Sequence, residues 1–151
     1  MIRKTLTAAT FGAVLASSTI ATTALAADEQ DKSSNAILLQ GFHWNSHDVD
    51  WYQVIESNAA SVSNLGATHV WFPPPSDAAS DEGYLPRELN VLDSHYGTEA
   101  ELRAAISALS DNGVNSVADI VINHRVGTLD WADFTSPTWD SSAVTCDDEW
   151  P

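Results

Sequence analysis

The sequence predicts an α/β fold built on parallel strands, and three observations carry that prediction. Three aliphatic runs, at 36–42, 68–72 and 114–122, have the near-continuous apolar character of strands buried on both faces. Two stretches of helical period, at 51–65 and from Thr98 to Leu109, lie between them. Strand and helix alternate strictly, the order that right-handed crossovers between parallel strands require.

The elements follow in chain order. Residues 28–35 are polar and read as a flexible lead-in. Ala36-Ile-Leu-Leu-Gln-Gly-Phe42 reads as a short buried strand. Apolar residues at 51, 54, 55, 59, 62 and 65 give a helix, and Gly66 stops it. Thr68-His-Val-Trp-Phe72 is a second strand, ended by Pro73-Pro-Pro75, which cannot continue a ladder. Residues 73–97 form a loop too long for an idle connector, so it is expected to be functional or disordered. Thr98-Glu-Ala-Glu101 is a capping box opening a helix whose buried face is Ala100, Leu102, Ala105, Ile106 and Leu109, with Gly113 at its end. Residues 114–122 are the third strand. From Arg125 to Pro151 there is no clear period, but there are three tryptophans and several aspartates, the look of a loop excursion or an inserted subdomain.

The amino terminus has the form of a secretory signal: Arg3 and Lys4, an apolar and small-residue run, then Ala24-Leu25-Ala26 as a cleavage site. The expected boundaries are 1–26 signal, 27–35 lead-in, 36–124 strand–helix core and 125–151 excursion. A secreted location and no membrane anchor follow as expectations. The net charge is −15 and becomes −17 once the two basic residues of the signal are removed. Such an acidic chain repels nucleic-acid phosphates and anionic lipids, so neither is an expected partner. The acid excess serves solubility; adaptation to salty water is the sharper reading. The single cysteine, Cys146, builds no disulfide framework, so the fold needs a real core.

The chemistry concentrates in Asp119-Ile-Val-Ile-Asn-His-Arg125. A carboxylate within an apolar strand is costly unless paired. Polar groups at the carboxyl end of parallel strands are where α/β enzymes place their sites. Asn123 offers a hard neutral oxygen and His124 a ring nitrogen, suited to a metal or a hydroxyl. His43 and His47 are spaced like zinc ligands on a helix, but His43 follows a strand and no third ligand is apparent, so zinc is not expected. Trp51 and Trp71 read as core. Asp130, Asp133 and Asp140 read as solvated loop acids.

Five stretches in order, Leu39-Gln-Gly-Phe-His-Trp44, Trp51-Tyr52, His69-Val-Trp-Phe-Pro-Pro-Pro-Ser76, Glu82-Gly-Tyr-Leu-Pro86 and Asp119-Ile-Val-Ile-Asn-His124, make the chain resemble the start of an α-amylase of glycoside hydrolase family 13. The likeness is to the plant type and to bacterial maltooligosaccharide-forming amylases. The resemblance implies the first three β/α units of a (β/α)8 TIM barrel, with 125–151 beginning the inserted B subdomain. A closed barrel takes about 250 residues, so the barrel is expected to be incomplete and the chain an amino-terminal piece of a longer enzyme.

The resemblance also implies roles. His124 hydrogen-bonds the glucose unit before the cut, Tyr84 stacks on the same sugar, and Trp44 is a further sugar contact at the barrel mouth. Asp119 has a structural role, orienting an arginine on the next strand. Asn123 is a calcium ligand, with Asp147 a second, making Ca²⁺ the implied cofactor. Relatives tie the equivalent of Cys146 to an earlier cysteine, and none is present here. The implied reaction is retaining cleavage of α-1,4-glucosidic bonds in starch and maltooligosaccharides by carboxylic acids after later strands. The full-length enzyme is expected to be a monomer, and this chain to be inactive alone. A non-catalytic starch-binding protein and a transglycosylase of the same family are the alternatives. A doubly wound nucleotide-binding fold lacks its Gly-rich turn after the first strand.

Overall fold

A computed structural model of the chain describes residues 35–128 and 133–144. Three strands, β1 (Leu38–Gln40), β2 (His69–Trp71) and β5 (Asn115–Val117), form a parallel sheet in the order β1-β2-β5. Their register pairs Leu39 with Val70 and Val70 with Ser116. Helix α1 (Trp51–Asn64) connects β1 to β2. A small antiparallel hairpin, β3 (Asp77–Ala78) and β4 (Pro86–Glu88), and helix α2 (Glu99–Asp111) connect β2 to β5.

The expected helices form where the period places them. Thr98 and Glu101 close the capping box reciprocally, the Thr98 backbone N–H donating to Glu101 Oε2 at 2.7 Å. Gly66 and Gly113, at φ 86° and 73°, end the helices in the left-handed region. Gln53 Nε2 donates at 2.7 Å both to Asp50 and to Glu101, lacing the amino-terminal turns of the two helices together.

The core lies between the helices and one face of the sheet. Its buried members are Tyr52, Ile55 and Ala59 of α1, Leu102, Ala105 and Leu109 of α2, and Val70, Phe72, Tyr96 and Val114. The apolar stripes are narrower than the sequence suggests. Leu65 and Val54 of the expected α1 face are exposed, as are Ala100 and Ile106 of α2, and Tyr52 is buried instead. The two helices pack chiefly against each other, with α2 also against β5, so only a narrow row of side chains on each is covered.

The outer strands differ more from expectation. β1 is three residues long and exposed rather than buried, and β5 stops at Val117 instead of 122. Ile120 and Ile122 are 62% and 83% exposed. The reason is the ladder. Gly41 N–H to Trp71 O and Phe72 N–H to Val117 O, both 2.8 Å, are its last rungs, because β2 then runs into Pro73, Pro74 and Pro75. Only the central strand of this sheet has neighbours on both sides, and of the sheet's residues Val70 alone enters the core cluster. Asp119 therefore lies beyond a strand end, not inside a strand.

The 73–97 connection is folded, not an unstructured loop. Arg87 forks onto Asp77 at 2.7 and 2.8 Å across the hairpin. Tyr96 is buried, and its hydroxyl donates to Glu82 O at 3.0 Å. The signal segment, most of the lead-in, Asp130, Cys146 and Asp147 lie outside the described residues. Among the described residues no helix is long and apolar enough to cross a membrane.

Candidate functional site

The sheet alternates. Because Val70 points to the helices, Trp71 points to the opposite face, and its indole Nε1–H reaches Asp119 Oδ2 at 3.1 Å. The same oxygen accepts from the Tyr84 hydroxyl at 2.9 Å. Tyr84 is delivered by the 73–97 connection through Gly83, which sits at φ +89°. A Cβ there would stand 2.9 Å from Pro74 Cβ, so glycine is required by both backbone and space. Trp44, 63% exposed, lies nearly parallel to Tyr84 at 8° with ring centroids 6.4 Å apart. His124 Nε2 stands 2.7 Å from Tyr84 O. A carbonyl oxygen only accepts, so that nitrogen carries the proton.

Four of the six residues singled out from the sequence thus come together around Tyr84: Trp44, Tyr84, Asp119 and His124. Asn123 is exposed next to His124. Asp147 lies outside the described residues. Among the described residues no three His, Cys, Asp or Glu side chains converge as a metal site. Calcium takes about six to eight oxygens, and Asn123 supplies one, so these residues by themselves do not complete a calcium cage. His43 and His47 are engaged locally: His43 Nδ1 accepts from Asn45 N–H at 3.1 Å, and His47 stands 3.5 Å from Asp48. Asp140 caps the 3₁₀ turn Ser141–Ala143, and its bonds from Ser142 hold its carboxyl below the usual range.

Two residues of the site were not read as such. Trp71 looked like core, yet it is a donor to Asp119; the period-2 alternation about Val70 is the signal that places it. Trp51 packs against the core as expected, and it also donates from its indole to Gly41 O at 2.6 Å, steadying the turn that carries Trp44.

Burial shapes the acid–base properties of all three tyrosines. Desolvation pushes the Tyr84 hydroxyl up to about 12, helped by its hydrogen bond and charge contact with Asp119. Tyr52 and Tyr96 are also raised, chiefly by desolvation. A raised phenol favours the neutral form in the fold. Its stabilisation is complete below the ordinary value of 10.0 and is lost as pH climbs through about 12. The folded chain is therefore expected to develop little tyrosinate absorbance at pH 10, while the urea-unfolded chain is half ionised there. Equal ultraviolet titration curves for the two states would contradict this burial of the phenols.

The family model described as "Alpha amylase, catalytic domain" matches residues 50–142. The chain belongs to the alpha-amylase family. Similar proteins include "Probable alpha-amylase 2" of Arabidopsis thaliana, 37% identical over 121 residues, covering 76% of this chain and 29% of that protein. Another is the "Glucan 1,4-alpha-maltotetraohydrolase" of Stutzerimonas stutzeri, 36% identical, covering 65% of this chain and 22% of the relative. The chain thus spans under a third of the length of these amylases. Among solved structures, alpha-amylase I from Eisenia fetida superposes with a TM-score of 0.52 at 20% identity, over 61% of this chain and 19% of the other. That likeness concerns the fold. In this alpha-amylase-family chain, β1-α1-β2 and α2-β5 are β/α units of a partial (β/α)8 barrel.

Proposed function

We propose that this chain forms the glucose-binding wall of a starch-cleaving glycosidase of the alpha-amylase family. The observation that carries the reading is the cluster of Trp44, Tyr84, Asp119 and His124 around the carboxyl ends of parallel strands, where barrel enzymes bind substrate. Flat rings suit the apolar face of a pyranose, and Tyr84 and Trp44 offer two. Asp119 holds the Tyr84 ring by its hydroxyl. His124, with Nε2–H on the Tyr84 carbonyl, keeps Nδ1 as an acceptor for a sugar hydroxyl. Asp119 already accepts from an indole and a phenol, so it serves as a brace rather than as an attacking carboxylate.

Retaining cleavage needs a nucleophilic carboxylate and a carboxylic acid about 5 Å apart. In this reading those acids belong to barrel strands that follow the three described here, and Asn123 and Asp147 join a calcium site completed by residues beyond them. When bound, calcium would brace the loops by charge. The amino-terminal segment would direct secretion.

Three outcomes are expected of the 151-residue chain. It binds maltoheptaose, releases no reducing sugar from soluble starch above a blank, and loses binding several-fold on Tyr84→Ala through the lost ring contact. Calorimetric titration and a reducing-sugar assay check these. Binding unaffected by Y84A would sink the sugar-wall reading, and hydrolysis would sink the placement of the acids. In a longer form of the enzyme that carries the remaining barrel strands, calcium is expected to raise the melting temperature, and less so with Asn123→Ala.

A further inference from the structure

Arg125, which follows His124, is heavily engaged. Its guanidinium lies over two rings, 5.3 Å from the Phe134 centroid and 4.7 Å from that of Trp139. The rings meet edge to face at 6.0 Å. Nε donates to Arg87 O and Nη1 to Pro137 O, each at 2.8 Å, and Nη2 donates to Thr135 O. One planar group therefore ties the excursion to strand β4.

Its neighbours hold β4 and the residues just before it. His124 Nε2 meets Tyr84 O at 2.7 Å, and Val126 N–H meets Pro86 O at 2.9 Å. A ring nitrogen of His124 thus meets the residue two before Pro86, the backbone of Val126 meets Pro86 itself, and Arg125 lies between these two contacts in the chain. Thr135 Oγ1 to Glu88 at 2.6 Å and Asn90 N–H to Ser136 O at 3.0 Å fasten its far side. Arg87, whose carbonyl takes Nε, is itself held by Asp77.

We propose that Arg125 is a positioning residue that clamps the described parts of the excursion, residues 125–128 and 133–144, to β4 and thereby holds His124 against Tyr84. The link to sugar binding rests on the reading of Tyr84 and His124 given above. The clamp needs arginine. Three carbonyls in different directions match the fixed fork of a guanidinium, and its flat face fits between rings, whereas a lysine ammonium is a point charge on a flexible stem.

The test uses the full 151-residue chain and its R125A and R125K variants. Far-UV circular dichroism checks that α1 and α2 persist. Chymotryptic cleavage after Phe134 and Trp139 is expected to quicken about tenfold in both variants, the scale of a lost cation–π pair with its hydrogen bonds. Side-chain ¹⁵N shifts are expected to show His124 protonated at Nε2 in the wild type and a tautomer mixture in R125K. Maltoheptaose affinity is expected to fall about tenfold in R125K.

Wild-type protease resistance in R125K would overturn the clamp. An unchanged His124 tautomer, or an unchanged maltoheptaose affinity, would reduce Arg125 to a loop fastener and overturn the positioning role. If R125A fails to fold, R125K decides by the same readouts, with W139A judged by cleavage after Phe134 and by the His124 tautomer. A wild type that ignores maltoheptaose would fail the sugar reading alone, since cleavage and tautomer still judge Arg125.

Discussion

Asp119→Ala is expected to weaken maltoheptaose binding about tenfold and to lower the unfolding free energy by about 1 to 3 kcal/mol, the range for hydrogen bonds to a charged group. The carboxylate takes both the Trp71 indole and the Tyr84 hydroxyl on one oxygen. Alanine leaves two donors without their acceptor and frees the Tyr84 ring to leave its near-parallel position over Trp44. Calorimetric titration measures the first effect and urea denaturation the second. A cycle with Tyr84→Phe separates tether from ring: if Asp119 acts by holding Tyr84, the two changes are strongly non-additive in binding. Additive losses would mean that Asp119 works some other way.

Tyr52→Ala is expected to cost about 4 kcal/mol of stability, the scale for removing a buried aromatic side chain. Tyr52 is fully buried on α1, and its ring lies 6.3 Å from both Phe72 and Tyr96. Its backbone N–H donates to Tyr96 O at 3.1 Å, and its hydroxyl pairs with Ser94 at 3.2 Å. One residue therefore joins α1, the end of β2 and the 73–97 connection that carries Tyr84. Domains commonly hold only about 5 to 15 kcal/mol in total, so the loss is visible as a large drop in the urea midpoint followed by helical ellipticity. A change below about 1 kcal/mol would show that the cavity is refilled by its neighbours and that the aromatic cluster is not the anchor.

The helices, their caps and their glycine stops were legible because those signals are local. A capping box and a 3.6-residue period lie within a few residues of the structure they produce. The order of strands and helices was legible for a similar reason. The strand ends were not. Ile120 and Ile122 have every mark of a buried strand, but a strand extends only where a partner offers a ladder, and Pro73, Pro74 and Pro75 remove it. The excursion was illegible in another way. Arg125, Phe134 and Trp139 have no period, and their association depends on a guanidinium finding two rings and three carbonyls at once.

By itself the sequence determined the alternating architecture through residue type and local order, and the family resemblance named four residues that gather at the candidate site, Trp44, Tyr84, Asp119 and His124, while Trp71 was read as core. Only the tertiary structure decided who holds whom. It set Trp71 and Tyr84 on one oxygen of Asp119, His124 on the Tyr84 carbonyl, and Arg125 as the clamp beside them. Those hydrogen bonds join residues 10 to 48 positions apart, and such contacts depend on sheet register and loop path rather than on any neighbour in the chain.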